Sequence, residues 1–242
     1  MKFINLSSTK EANEWIQQSV AECKSSYPLV SQKLPVAVDI GANIGGFCIH
    51  AHQHFDKIYA FEPHLQNYNI LLQVKEHLKM SNVDVYNMAI TNQSNEKRVL
   101  KAHEGAHSKD ISCADFNNDD WRFKDLQETC ETISLADMMG ALNLKRINYL
   151  KLDCEGSEYE ILENFHDYDK ISIIVMEIHG FFGFERKKNL LLLLNQSYWM
   201  VPVNTNEKIE VKNIHKYALK DFDSIDSDKT NFFCLNRAHI QT

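Results

Sequence analysis

The chain has 242 residues, 44% hydrophobic and 24% charged, enough for one sizeable α/β domain with its own core and no Pro/Gly/Ser-rich linker to divide it. Its net charge of -7, with acids scattered along the length and no basic stripe, argues against a nucleic-acid partner. Six widely spaced cysteines without a C-x-x-C pair point away from a zinc knuckle or redox dithiol and towards reduced thiols in the cytoplasm.

Residues 1 to 34 read as an N-terminal capping region, with an amphipathic helix over 9 to 24, and residues 35 to 242 as a single domain. The first ten residues lack the apolar stretch of a signal peptide, and the later run Leu190 to Leu194 is too short to span a membrane. Val36 to Phe47 then reads as a buried strand that turns into a helix through glycines. Val36, Val38 and Ile40 supply the strand, Gly41 and Gly45 the tight turn, and the helix start offers its amides to a ligand. Glu62 ends a second apolar strand, Lys57 to Glu62, twenty-one residues beyond Gly41, near the ~20-residue offset of an acid that binds ribose hydroxyls. Asn43 stands where a dinucleotide loop keeps a bare glycine, and Asp39 would repel a diphosphate. Both suit a nucleoside without phosphate, such as S-adenosylmethionine, better than NAD.

A helix over 65 to 80 follows, then a strand from Val83 to Ile90. Residues 92 to 132 break the alternation with a polar strand-and-loop excursion over one edge, including Gly105 and Asn117 to Asp120. Regularity returns with a helix over 134 to 144 capped by Ser134, a strand from Ile147 to Asp153, a helix over 157 to 165 and a strand from Ile171 to Glu177. The tail offers a helix over 184 to 196 and strand-like pieces at Trp199 to Val203, Lys208 to Val211 and Asn231 to Leu235, which suggest a C-terminal antiparallel hairpin. Strands alternating with helices imply a doubly wound, mostly parallel sheet.

Ligands of such sheets bind beyond the carboxyl ends of the strands, which nominates Asp39, Glu62, Ala89, Asp153 with Glu155, and Glu177 with His179. So many carboxylates at one edge call for a cation. Glu158 reads as a first-turn acid favoured by the helix dipole. His50 and His54 have helical i, i+4 spacing but no acid or cysteine in register, so they read as a polar face. Tyr149, Phe181, Phe182 and Phe184 are candidate walls of a substrate pocket, with Gly180 and Gly183 marking a loop.

Five segments in order, Asp39-Ile-Gly-Ala-Asn-Ile-Gly45, Phe61-Glu-Pro63, Asn87-Met-Ala89, Lys151-Leu-Asp-Cys-Glu-Gly-Ser-Glu158 and Glu177-Ile-His179, resemble the FkbM family of S-adenosylmethionine-dependent methyltransferases over roughly residues 35 to 180. The resemblance implies a Rossmann-like class I methyltransferase fold, with a seven-stranded sheet whose last strand is antiparallel. It implies cofactor contacts from Asp39, Gly41, Asn43, Gly45 and Glu62, joined by Pro63 and by Ala89 near the adenine. Family members mostly methylate oxygens of sugars, polyketides and other small molecules. The expected function is therefore transfer of a methyl group to a hydroxyl of a sugar, glycan or natural-product intermediate, with Asp153, Glu155 and His179 as catalytic residues and His179 a base near neutrality. No metal belongs to the expected set; a divalent ion on Asp153 and Glu177 is the less favoured way to acidify the hydroxyl, because a third ligand is not visible in sequence. The rival readings are a non-catalytic nucleoside-binding scaffold and a nicotinamide-dependent oxidoreductase. The oligomeric state stays open, a homo-oligomer included.

Overall fold

The computed structural model describes residues 10–103, 111–114, 123–203, 211–225 and 229–239. Helix α1 (Lys10–Ser26) precedes strand β1 (Leu34–Ile40), helix α2 (Gly46–Ala51), strand β2 (Phe55–Phe61), helix α3 (Leu65–His77) and strand β3 (Val83–Tyr86). The chain continues through β4 (Ala89–Thr91), β5 (Lys97–His103), β6 (Ile111–Ser112) and β7 (Phe123–Ser134) into α4 (Leu135–Ala141). Next come β8 (Ile147–Leu152), α5 (Glu158–Glu163), β9 (Ile171–His179), α6 (Phe184–Asn195), β10 (Tyr198–Pro202), α7 (Ile214–Tyr217) and β11 (Lys229–Asn236).

Seven strands form the main sheet in the order β10-β11-β9-β8-β1-β2-β3. Strands β1, β2, β3, β8 and β9 run parallel, while β11 is antiparallel to both its neighbours. Both faces are covered, which is why these strands carry apolar residues at adjacent positions, as in Val36-Ala-Val38 and Ile173-Ile-Val-Met176, and not only at alternate ones. On one face Val38, Leu150, Leu152 and Ile174 pack with Met138, Leu162, Leu190 and Leu194. On the other, Ala37, Ile58, Tyr149 and Val175 pack with Phe47, Leu71 and Ile214. This is the doubly wound sheet expected from the alternation, with the antiparallel strand at the expected end. The C-terminal pair differs from a tight hairpin: β11 inserts between β9 and β10 after a long connection that includes α7. The expected strand at Lys208 to Val211 lies outside the described residues up to 210.

Two further expectations are revised. The single strand from Val83 to Ile90 breaks at Asn87, whose side-chain amide donates to the carbonyls of Glu62 at 3.0 Å and Pro63 at 2.8 Å. Those bonds end the pairing with β2 and turn the chain out of the main sheet. Ala89 then pairs with Thr132, so the excursion over 92 to 132 is a four-stranded sheet of its own, ordered β4-β7-β5-β6. Gly105 and Asn117 to Asp120 lie outside the described residues. Helix α4 starts where expected, the Ser134 hydroxyl accepting from the amide of Asp137 at 3.1 Å, but ends at Ala141 before the left-handed Asn143.

Candidate functional site

Strand order reverses between β1 and β8, and a cavity of about 310 Å³ opens there beyond the carboxyl ends of the strands. The turn after β1 forms its floor. Gly41 sits at φ +76°, and a Cβ built on it would lie 1.8 Å from the carbonyl oxygen of Asp153, so backbone meets backbone where β1 and β8 end. Gly45, at φ +95°, starts α2, and a Cβ there would strike Leu71 of α3 at 2.4 Å. Asn43 takes a left-handed φ of +49°, and its side-chain oxygen accepts from the amide of Ile44.

Glu62 faces the cavity from the end of β2 and is 5% exposed. Its two carboxylate oxygens accept from the backbone amides of Asn43 at 2.7 Å and His64 at 2.9 Å. Burial pushes the carboxyl up to about 7 despite those amides. Each oxygen keeps a second lone pair, so the group is fixed and can still accept from a ligand hydroxyl. Pro63, Phe61, Met88, Ala89 and Ile90 add an apolar stretch of the wall beside it.

Asp39 is not part of that wall. It is fully buried, with Lys151 Nζ 3.1 Å from Oδ1, and Lys151 donates to the carbonyl of Gly41 at 2.7 Å. The ion pair therefore clamps the glycine turn to β8, and Asp39 supports the ligand-facing loop from behind. Asp153 does face the cavity: Oδ2 accepts from the hydroxyl of Tyr27 at 2.7 Å and lies 4.0 Å from Lys151 Nζ. Burial raises its pKa, with Lys151 opposing.

His179, at the end of β9, is 5% exposed and nearly encircled by carboxylates. Its Nε2 lies 3.2 Å from both Glu155 and Glu177, its Nδ1 3.4 Å from Glu158, and its ring stacks on Phe181. Burial alone would lower its pKa, but these acids raise it well above the ordinary imidazole value. His179 thus lies within a ring of carboxylates beside the cavity and not on its wall. Glu177 is the counterpart: burial opposes ionisation, yet His179 and Lys229, the latter 2.8 Å from Oε1, hold its carboxyl down at about 2. Glu158 is more than a first-turn acid, since it accepts from the amides of Cys154 and Gly156 and ties down the loop after β8.

The fold thus brings Gly41, Asn43, Glu62, Pro63, Ala89, Asp153 and Glu155 to one cavity and sets His179 beside it. Gly45 and Asp39 act one layer back. Sequence reading missed the contribution of α1, from which Ser19, Glu22, Cys23 and Ser26 line the cavity, joined by Tyr27 just beyond its end. Gly46 carries the signal for it: a Cβ there would lie 2.2 Å from Ser19 Oγ, so that glycine lets α1 lie against α2. Lys151, a cation inside an apolar strand, was the other legible clue. Tyr149 is core, stacked on Phe47, and not a pocket wall; Phe182 lines a second cavity with Arg98 and Arg186. His50 and His54 do not share a helix, because α2 ends at Ala51.

Residues 39–223 match the sequence family described as "Methyltransferase FkbM domain". A curated protein, Methyltransferase 1 of Beauveria bassiana (strain ARSEF 2860), is 27% identical over 159 residues, which are 58% of this chain and 63% of that protein. Among solved structures, the methyltransferase FkbM from Methylobacillus flagellatus KT shares 14% identity at a TM-score of 0.48, over 85% of this chain and 44% of that one. TrmK of M. capricolum, solved with S-adenosyl-homocysteine, shares 14% identity at a TM-score of 0.45, over 92% and 67%. The chain spans less than two thirds of the curated relative and less than half of the first of these solved chains.

Proposed function

From a chain that belongs to the FkbM methyltransferase family, we propose an S-adenosylmethionine-dependent O-methyltransferase that acts on a hydroxyl of a small molecule, a sugar, glycan or natural-product intermediate. The observation that carries this reading is Glu62, fixed by the amides of Asn43 and His64 with lone pairs to spare at the mouth of the glycine turn. Ribose hydroxyls donate to such a carboxylate. Gly41 and Asn43 border the amino acid end, Pro63 and Ala89 the adenine, and Asp39 and Gly45 hold the loop in place.

The reaction is an in-line displacement: the acceptor oxygen attacks the sulfonium methyl, the carbon–sulfur bond breaks, and the hydroxyl proton passes to a base. Alignment of the two reactants accounts for ~7–11 kcal/mol of barrier and the base for about 10²–10⁴-fold. Asp153 and Glu155 face the cavity as carboxylates and are the proton acceptors of this reading, with His179 holding Glu155 in place. A small acceptor fits a cavity of about 310 Å³ and a net charge of -7 better than a polynucleotide does. A cytoplasmic location belongs to the proposal as well: all six cysteines are free, and no helix among the described residues is long and apolar enough to cross a membrane.

Calorimetric titration of S-adenosylhomocysteine and of NADH, into wild type and Glu62→Ala, tests the cofactor. Micromolar binding of the first ligand, about -8 kcal/mol, that is lost in the variant supports the reading. Binding of NADH alone overturns it. Radiolabelled methyl transfer to a panel of sugars and phenols then tests the acceptor, and cofactor binding without transfer to any member would favour the scaffold reading.

A further inference from the structure

We propose that Asp153, Glu177 and His179 bind one divalent cation of the Mn²⁺ type at the edge of the cofactor cavity. One donor atom from each of the three lies within 4.8 Å of the others. At metal–ligand distances of about 2.0–2.6 Å, donors on opposite sides of a single ion stand about 4–5 Å apart, so the cluster has the span of one coordination sphere.

The histidine separates this cluster from an ordinary group of acids. His179 is 5% exposed, and its Nδ1 is buried without a hydrogen-bond partner. That nitrogen faces Glu158 Oε1 at 3.4 Å, while Nε2 is turned to Glu177 and Glu155, each at 3.2 Å. A core histidine kept for packing would engage both nitrogens in hydrogen bonds. One nitrogen among carboxylate ligands and the other facing a further acid is the posture of a metal-bound imidazole, whose outer partner orients the ring. Phe181, stacked 5.1 Å away, fixes the ring plane.

Lys229 supplies the independent sign that a positive charge belongs here. Its ammonium lies 2.8 Å from Glu177 Oε1, at the end of a side chain that is 66% exposed and can swing clear. Two carboxylates and an imidazole, without a thiolate, suit Mn²⁺ better than the all-oxygen preference of Mg²⁺ or Ca²⁺. Three protein ligands leave positions for water and for an acceptor oxygen. For its chemistry the site rests on the hydroxyl-methylating reading: the ion would lower the pKa of the bound hydroxyl, and Glu155, the one of the two acceptors of that reading outside the ligand set, would take the proton. Binding of the ion does not depend on that reading.

The test is a Mn²⁺ titration of full-length, chelator-stripped protein, with free Mn²⁺ read by electron paramagnetic resonance and S-adenosylhomocysteine titrated in parallel. Expected are a single saturable site, weakening of about tenfold or more in Glu177→Gln and His179→Gln, and tighter binding in Lys229→Met, which removes the competing ammonium. Lys229 is exposed, so that variant stays informative even if the two ligand variants fold poorly. No bound Mn²⁺ at about 1 mM, in protein that binds the nucleoside, overturns the metal site and leaves the cofactor reading standing. Equal Mn²⁺ binding in wild type and all three variants overturns it too. Saturable Mn²⁺ binding without nucleoside binding keeps the site and refutes the cofactor reading.

Discussion

Glu62 performs two tasks that pull against each other. Burial keeps its carboxyl near pH 7, while acceptance from ribose hydroxyls favours the ionised form. Because its folded-state pKa lies above the ordinary 4.5, the native chain holds a proton that the unfolded chain has lost between those values. Its contribution to stability is complete below the ordinary pKa and is lost as pH rises through about 7, a change of about 3 kcal/mol. Ligand binding should show the reverse slope. Affinity for S-adenosylhomocysteine is expected to rise with pH towards neutrality, by about tenfold per unit below the pKa, and to be flat in Glu62→Gln. Calorimetry between pH 6 and 8 checks this. The glycines make a second residue-level contrast. Gly41→Ala, with φ +76° and a carbonyl oxygen 1.8 Å away, should cost more than about 3 kcal/mol or prevent folding. Gly140→Ala in α4, with nothing within 4 Å, should stabilise by about 0.5–1 kcal/mol. Urea denaturation of both variants measures the difference. The residues legible in sequence, Gly41, Glu62, Asp153 and Glu155, belong to short strand-to-turn segments whose chemistry is local. Tyr27 and Lys229 were not legible, since they meet Asp153 and Glu177 across 126 and 52 residues. Nothing local to those two side chains marks their targets.

Among elements, the strands of the main sheet were readable because burial on both faces leaves uninterrupted apolar runs. The break after β3 was not. Val83 to Ile90 has strand composition throughout, and it is Asn87, bonding to two carbonyls beyond β2, that turns the chain away. The smaller sheet was legible only as an excursion, because β7 carries polar residues along most of its length and β4 and β6 have only three and two residues. Its tie to the main body is specific. Arg98 on β5 reaches Glu160 on α5 with Nη1 2.7 Å from both carboxylate oxygens, and both side chains are about 85% buried. Removal of one partner leaves the other charge uncompensated. Arg98→Met is therefore expected to cost about 2–4 kcal/mol in chemical denaturation, and the double variant Arg98→Met with Glu160→Leu should recover part of the loss.

At the scale of the molecule, the acidic balance makes a prediction about partners. A chain of net charge -7 should not retain bulk transfer RNA on a filter at about 0.15 M salt, and retention would redirect the acceptor search to polynucleotides. The sheet order has a consequence of another kind. Strand β11 lies between β9 and β10 but is made after both. As the chain leaves the ribosome, β10 is complete while it still has no neighbour to pair with. The backbone of Tyr198 and Met200, fully or almost fully buried in the finished protein, must wait unpaired until Asn236 and Cys234 have been translated. Until then β9 offers an open edge to any passing strand. The nascent chain is thus exposed to misassembly latest at the side of the sheet that carries Glu177 and His179.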